Sequence, residues 1–395
     1  MSVVGGTFPF SFVVGGVLAG WLDTLERLAH TRAKAGLTRH LRPRAADDEV
    51  VDLAGNDYLG LATHPAVIAA SAQALAAYGL GATGSRLVRG STDEHAALEI
   101  DLAEWLGVER ALVFSSGYLA NLGAVRALAG NQTLLISDAY NHASLIDGCK
   151  ISGAHTVVAP HADPVAVAAL LDAAGGRPAV VVTESVFSVD GDLAPLAELH
   201  AVTSARGALL LVDDAHAVGI LGEQGSGGVA AAGLAGAPDI VVTATLSKSL
   251  GGAGGVVAGP AALVRHLIDT GRTFIYDTAP PPAVVAGVHA ALQIARSGDD
   301  LRAVLAARAE RTVERLAAAG FDVSRPAAAV LSVIAPGPEA ALTWAMDCRD
   351  RGVAVGCFRP PSTPDGTSRL RLTLNAGVAE ADFGRALDVI VECAP

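Results

Sequence analysis

The sequence predicts an α/β protein in which a large, mostly parallel, seven-stranded sheet carries helices on both faces and a smaller α/β part follows at the C-terminus. Three observations carry this expectation. From Ala111 onward, short apolar runs at 111–115, 133–137, 155–159, 179–183, 208–212 and 239–243 alternate with helical stretches such as 163–174 and 194–205. Such alternation marks crossover units in a parallel sheet. Gly254-Gly255-Val256-Val257-Ala258-Gly259 then reads as a return strand running the other way, the seventh. Finally, Pro280-Pro281-Pro282 breaks the pattern. Beyond it the periodicity predicts helices near 283–297 and 300–319, strand 328–335, helix 339–351, strands 353–358 and 368–374, and a closing helix 380–392.

Ahead of the alternating region the elements are fewer. Residues 1–20 are apolar and glycine-rich with no lysine or arginine before the apolar run, so they lack the charged start of a secretory signal. The run is also too short for a membrane span, and a poorly ordered extension is expected. From Trp21 to Ala35, Leu22, Leu25 and Leu28 recur at helical spacing among charged residues, which predicts an amphipathic helix. Val51-Asp52-Leu53-Ala54 reads as a short strand, and Gly79–Arg86 is too rich in glycine for a helix interior. The expected division is an extension at 1–20, an N-terminal segment at 21–60, a large domain at 61–282 and a small domain at 283–395.

Composition narrows the function classes. At 395 residues the chain can bury a large core, and a formal net charge of −12 without a long basic cluster argues against nucleic acid as a partner. Cys149, Cys348, Cys357 and Cys393 show no Cys-x-x-Cys spacing, which fits reduced thiols in a cytoplasmic protein and no metal site. The many Ala and Gly residues raise apolarity without adding bulk, and no membrane association is expected.

Chemistry concentrates where strands end. The run Thr243-Ala244-Thr245-Leu246-Ser247-Lys248 passes from a β-branched strand into Ser and Gly, which brings Lys248 up at a turn. A desolvated lysine has a lowered pKa and serves as a nucleophile and base. Leu209-Leu210-Leu211-Val212-Asp213 is an apolar strand ending on an acid, with His216 three residues on; alone, this run also fits an ordinary loop or half of a metal site. Ser115-Ser116-Gly117-Tyr118 follows another strand and opens an apolar helix, whose free N–H groups suit a phosphate. His142 and Glu184 fall at the same sheet edge as Gly117, Asp213 and Lys248, and ligands of such sheets bind at strand C-terminal ends.

The chain order of these groups is similar to that of fold-type I pyridoxal phosphate (PLP) transferases. The wording of Asn56-Asp57-Tyr58-Leu59-Gly60-Leu61, of Ser116-Gly117-Tyr118 with Asn121, of Asn141-His142-Ala143-Ser144-Leu145, of Asp213-Asp214-Ala215-His216 and of Thr245-Leu246-Ser247-Lys248 resembles the α-oxoamine synthase family. The run Arg359-Pro360-Pro361-Ser362-Thr363-Pro364-Asp365-Gly366-Thr367-Ser368-Arg369-Leu370-Arg371-Leu372 is most similar to the member that condenses L-alanine with a pimeloyl thioester on the way to biotin. The resemblance covers about residues 20–395.

The resemblance implies the following roles. Lys248 holds PLP as a Schiff base and acts as general base and acid, Asp213 keeps the ring nitrogen protonated, His216 meets the phenolic oxygen, and His142 stacks on the ring. The Gly117 and Tyr118 amides with the Thr245 hydroxyl hold the phosphate, and Glu184 and Ser188 are further cofactor contacts. Arg371 clamps the amino-acid carboxylate with Asn56 and His142 nearby, Ser362 contacts substrate, and Arg39 meets the distal carboxylate of the acyl group. A homodimer is implied, with the active site at its interface and the Gly79–Arg86 loop reaching the neighbour's phosphate site. The acyl donor is pimeloyl-CoA or pimeloyl-ACP. Three other readings stay open: a sister synthase such as glycine C-acetyltransferase or 5-aminolevulinate synthase, an aminotransferase or aldolase, and a silent scaffold subunit.

Overall fold

A computed structural model describes residues 17–360, 362–363 and 365–395. The stretch 1–16, most of the expected extension, lies outside the described residues. Residues up to Glu49 and residues 50–395 form two units. In the first, helix α1 (Val17–Lys34) starts four residues before the predicted Trp21, because Val17-Leu18-Ala19-Gly20 carry on the same helical path. Its Trp21, Leu22, Leu25 and Leu28 are exposed.

The second unit is built on two sheets. The strands in chain order are β1 (Val51–Leu53), β2 (Arg110–Phe114), β3 (Leu134–Asp138), β4 (His155–Ala159), β5 (Ala179–Glu184), β6 (Leu209–Asp213), β7 (Ile240–Thr245), β8 (Gly255–Gly259), β9 (Val330–Ile334), β10 (Val353–Phe358) and β11 (Arg369–Thr373). The large sheet has seven strands in the order β2-β8-β7-β6-β5-β3-β4. Pairing is parallel from β4 through β7, and β8 alone is reversed, antiparallel to both β7 and β2. All six other strands therefore end at one edge, where Phe114, Asp138, Ala159, Glu184, Asp213 and Thr245 are the last residues. Strands β5 and β6 are apolar almost throughout because both faces are covered.

Helices alternate with these strands as the periodicity predicts. They are α2 (Pro65–Tyr78), α3 (Asp93–Leu106), α4 (Gly117–Leu128), α5 (Ala143–Ser152), α6 (Pro164–Ala173), α7 (Leu196–Ser204), α8 (Gly228–Ala231), α9 (Ala261–Thr270), α10 (Arg272–Ile275), α11 (Pro282–Arg296), α12 (Asp299–Ala318), α13 (Pro338–Asp350) and α14 (Glu380–Glu392). Proline at the first turn of α6, α11 and α13 starts each helix where its missing N–H costs nothing. No helix among the described residues is long and apolar enough to cross a membrane. After the glycine-rich stretch from Gly79 the chain makes a single π turn at Arg86–Gly90, and the Arg86 guanidinium pairs with Glu99 at 2.8 Å.

The small sheet has the order β1-β10-β11-β9. Its edge strand β1, read from sequence as part of a separate N-terminal segment, pairs in parallel with β10 in the register Val51↔Val353. Helix α11 packs on α2 and α3, so the boundary expected at 282/283 falls inside one compact unit. The consequence for function lies in the link just after β1: it carries Asn56 and Tyr58 to the edge of the large sheet.

Candidate active site

A cavity of about 240 Å³ opens at the C-terminal edge of the large sheet. Of the residues singled out from sequence, Gly117, Tyr118, His142, Glu184, Asp213, His216, Thr245 and Lys248 line it. Each is placed by a strand end or by the first turn of the helix that follows. Ser116 caps α4 by accepting the Leu119 N–H at 3.2 Å, which leaves the Gly117 and Tyr118 N–H groups at the helix start aimed at the cavity end. Glycine suits this position, since a Cβ on Gly117 would stand a tight 3.0 Å from the Thr245 Cβ. The Thr245 hydroxyl sits on the Gly254 carbonyl at 3.0 Å and faces the Ser247 hydroxyl at 2.7 Å.

Two hydrogen-bonded runs organise the rest. In the first, the Asn121 amide donates to Asp213 Oδ2 at 2.7 Å and to the Ser144 hydroxyl at 2.8 Å, while its Oδ1 accepts from the Thr243 hydroxyl at 2.5 Å. Ser144 Oγ lies 2.7 Å from His142 Nδ1, and the Ala215 N–H donates to Asp213 Oδ1 at 3.0 Å. Every polar atom of Asn121 is used, so Asp213 is held in one orientation in a satisfied buried network. Burial holds the His142 imidazole below its usual pKa, more than the nearby Asp213 charge can offset. Its Nδ1 also accepts the Ser144 N–H at 3.2 Å, which assigns the ring proton to Nε2.

The second run starts at Lys248. Its Nζ lies 2.8 Å from His216 Nε2, His216 Nδ1 lies 2.7 Å from the Tyr58 hydroxyl, and Tyr58 donates to Asn56 Oδ1 at 3.1 Å. Asn56 Oδ1 also accepts from Arg371 Nη2 at 3.2 Å. One proton count satisfies the chain: neutral His216 donates from Nδ1 to Tyr58 and accepts from Lys248 at Nε2. Consistent with this, burial and then the cations Lys248 and Arg371 hold His216 well below its usual pKa. Burial also brings the Lys248 amine down to about 8, partly opposed by the Asp213 charge. Burial and then the Asp213 charge push the Glu184 carboxyl well above the carboxylate range, and its Oε1 has no partner among the described residues.

Arg371 and Arg369 lie two residues apart on β11, both buried. Arg369 is neutralised by Asp190, at 2.6 Å, and by Asp365. Arg371 donates from Nε to the Ser188 carbonyl at 2.7 Å, and among the described residues no carboxylate lies within ion-pair distance of it. A buried guanidinium without a counter-charge is a standing cost that an anionic ligand removes.

Two of the expected contacts, Ser188 and Ser362, do not line the cavity. Ser188 does not line the cavity: the Val186–Leu193 bridge turns the chain back just after Glu184, and what Ser188 contributes is the carbonyl that holds Arg371. Ser362 is exposed in the loop after β10, its N–H on the Arg359 carbonyl at 2.9 Å. Arg39 lies in the first unit. Conversely, Tyr58, Asn121 and Ser144 sit in the two runs without a role having been assigned to them from sequence. Their signal was present, since all three fall inside the quoted motifs, but a side chain that acts by holding another has no chemistry of its own to announce.

A family model described as aminotransferase class I and II matches residues 48–390. An 8-amino-7-oxononanoate synthase from Mycolicibacterium gilvum (strain PYR-GCK) is 52% identical over 372 residues, covering 94% of this chain and 96% of that protein. One from Mycobacterium leprae (strain TN) is 51% identical over 373 residues, covering 94% of each. Among solved structures, serine palmitoyltransferase from S. paucimobilis with bound PLP-myriocin aldimine matches with a TM-score of 0.89 at 31% identity, over 96% of this chain and 98% of that one. An 8-amino-7-oxononanoate synthase from Francisella tularensis matches with a TM-score of 0.75 at 28% identity, over 88% of this chain and 98% of that one.

Proposed function

This chain belongs to the class I and II aminotransferase family and, within it, to the α-oxoamine synthases; from that premise we propose that it makes 8-amino-7-oxononanoate by decarboxylative condensation of L-alanine with a pimeloyl thioester. Its cofactor is pyridoxal phosphate. The residues present fit that group. A helix start with free amides and the hydroxyls of Thr245 and Ser247 suits a phosphate. The anchored Asp213 suits a pyridine nitrogen, and the unpartnered Glu184 Oε1 marks a place where a ligand is needed to complete the hydrogen bonding. When bound, the cofactor supplies an electron sink for negative charge at the amino-acid α-carbon.

The observation that carries the reading is the unbroken run from the Lys248 amine through His216, Tyr58 and Asn56 to Arg371. It fixes the distance between a proton-handling amine and a carboxylate-binding guanidinium, the two ends that an α-amino acid must meet together. Arg371 binds the α-carboxylate through its fork, and Lys248, whose pKa burial lowers to about 8, has a neutral-amine fraction near neutral pH that takes the α-proton and returns a proton at the end. Neutral His216 keeps the amine oriented without adding a competing charge. The His142 ring lines the cavity, and the anchored Asp213 would hold the ring nitrogen of the bound cofactor and favour its protonated form. The long apolar acyl chain supplies binding energy that helps exclude water.

We further propose a cytoplasmic homodimer with its sites at the subunit interface, Ser362 and Arg39 meeting the acyl substrate, and coenzyme A or an acyl carrier protein as the thiol. The test is thiol release from acetyl, succinyl and pimeloyl thioesters, on both carriers, crossed with L-alanine, glycine and L-serine. Release should be greatest with L-alanine and the pimeloyl thioester. Release greatest with glycine and the acetyl thioester would instead identify a glycine C-acetyltransferase.

A further inference from the structure

Residues 185–194 form a tight hairpin between the two sheets. The Val186–Leu193 bridge closes it, the Phe187 N–H donates to the Asp192 carbonyl at 2.9 Å, and the Gly191 N–H donates to the Phe187 carbonyl at 3.0 Å. Against the small sheet it is fully engaged: Asp190 pairs with Arg369 and accepts from the Ser332 hydroxyl, and Gly191, at φ +75°, presses so close to the Val330 carbonyl that a Cβ could not be accommodated. This hairpin supplies the Ser188 carbonyl that takes the Arg371 Nε–H at 2.7 Å. On its other side stands a group not used in the chemistry above.

That group is His161, on the loop after β4. Its Nδ1 lies 3.0 Å from Asp138 Oδ1 and its Nε2 lies 2.9 Å from Asp192 Oδ2. Each nitrogen faces a carboxylate, and a neutral imidazole has only one N–H to offer, so the arrangement calls for an imidazolium donating both ways. The ring is stacked on Tyr140 at 4.2 Å and 15° and meets the edge of Phe187 at 4.3 Å. Asp138 is itself pinned by the Tyr140 and Ala162 N–H groups, each at 2.8 Å. The next residue, Ala162, holds φ +49°, a conformation that L residues other than Gly, Asn and Asp seldom adopt. Such strain persists where the surroundings over-determine a position.

We propose that His161 is a positioning residue for the amino-acid site: clamped between Asp138 and Asp192, it ties the hairpin to the large sheet so that the Ser188 carbonyl holds Arg371 in its carboxylate-binding orientation. This rests on Arg371 receiving the carboxylate, as proposed above. The effect is expected on amino-acid binding, because His161 touches neither Lys248 nor Asp213. A guanidinium fork that swings by a few tenths of an ångström loses its match to a carboxylate while the cofactor groups stay in place.

The experiment measures KM for L-alanine, kcat, the absorption spectrum of the bound cofactor and the melting temperature in holoenzyme carrying His161→Gln, Asp192→Asn, the pair together, and Arg371→Lys. Either single change should raise the alanine KM about tenfold, leave kcat within about twofold and leave the spectrum unchanged. The double variant should be little worse than either single one, because both break one contact. Should His161→Gln fail to fold, Asp192→Asn carries the test, since the Asp192 side chain is 41% exposed and the change keeps its shape. An unchanged alanine KM with a lowered melting temperature would overturn the proposal and leave His161 a structural residue. If Arg371→Lys also leaves the alanine KM unchanged, the carboxylate reading itself fails; if it raises KM while the His161 and Asp192 changes do not, only the positioning role fails.

Discussion

The two hydrogen-bonded runs of the site differ in reach. His142, Ser144, Asn121 and Asp213 all belong to one sheet edge and the helices that leave it, and their bonds close a local circuit beneath the cofactor place. Lys248, His216, Tyr58, Asn56 and Arg371 join that edge to β11 of the small sheet, and the last bond links residues 315 positions apart. A circuit on one sheet edge can stay rigid whatever the small sheet does. A run that spans both sheets reports on how they sit, so its far part, Tyr58, Asn56 and Arg371, is suited to sensing the amino acid. Damage to the first should therefore cost cofactor, and damage to that far part of the second should cost substrate.

The strongest test of this division is Arg371→Met. Catalytic efficiency toward L-alanine should fall about a thousandfold, equivalent to about 4 kcal/mol, with the cofactor spectrum intact. The melting temperature should stay the same or rise, because an unpaired buried charge is removed. Loss of cofactor in this variant would break the division. Next in size is Asn121→Ala, which strands Asp213, Ser144 and Thr243 without their shared partner. It should lower unfolding stability by about 2–3 kcal/mol and weaken cofactor binding, read by denaturant titration and by dialysis against free cofactor. A variant that binds cofactor normally would show that the first run is only structural.

Tyr58→Phe is a milder cut in the second run, keeping the buried ring and removing the hydroxyl between His216 and Asn56. A cost of about 1 kcal/mol is expected, seen as a several-fold rise in the alanine KM with no change in cofactor affinity. Smallest is a pH effect outside both runs. Burial lowers the His161 pKa, but the bonds to Asp138 and Asp192 outweigh it and push it up to about 9. A base whose pKa is raised on folding stabilises the fold fully below its unfolded value near 6.5, and that contribution is lost as pH rises through about 9. Since the ring is partly exposed, the amount is no more than about 1 kcal/mol. Thermal melts from pH 6 to 10 should show this alkaline limb in the parent and a flatter one in His161→Gln.

Legibility in the sequence followed the reach of each contact. Strand ends, the glycine at the start of α4 and the order of Lys248 after Asp213 were readable because each depends on neighbours within a few positions: β-branched runs make strands, and Ser or Gly ends them. Even the reversed β8 announced itself by the short glycine turn before it. Strand β1 was readable as a strand but not as a member of the small sheet, since nothing local distinguishes one partner strand from another. Ser188 lies off the cavity lining for a similar reason: a motif gives spacing along the chain, whereas the bridge at Val186 decides which way the next residues face.

Sequence alone determined the α/β class, the sheet edge at which polar side chains collect, and the lysine, acid and histidines that line the cavity there, because alternation and residue type are properties of short windows. Only the tertiary structure decided which of the two β11 arginines has no carboxylate within ion-pair distance among the described residues, that a histidine between two acids braces the hairpin behind it, and that Asn56 and Tyr58 bridge the two sheets. Those choices depend on charge balance and distance between segments far apart in the chain, and a charge has no balance until its neighbours in space are fixed.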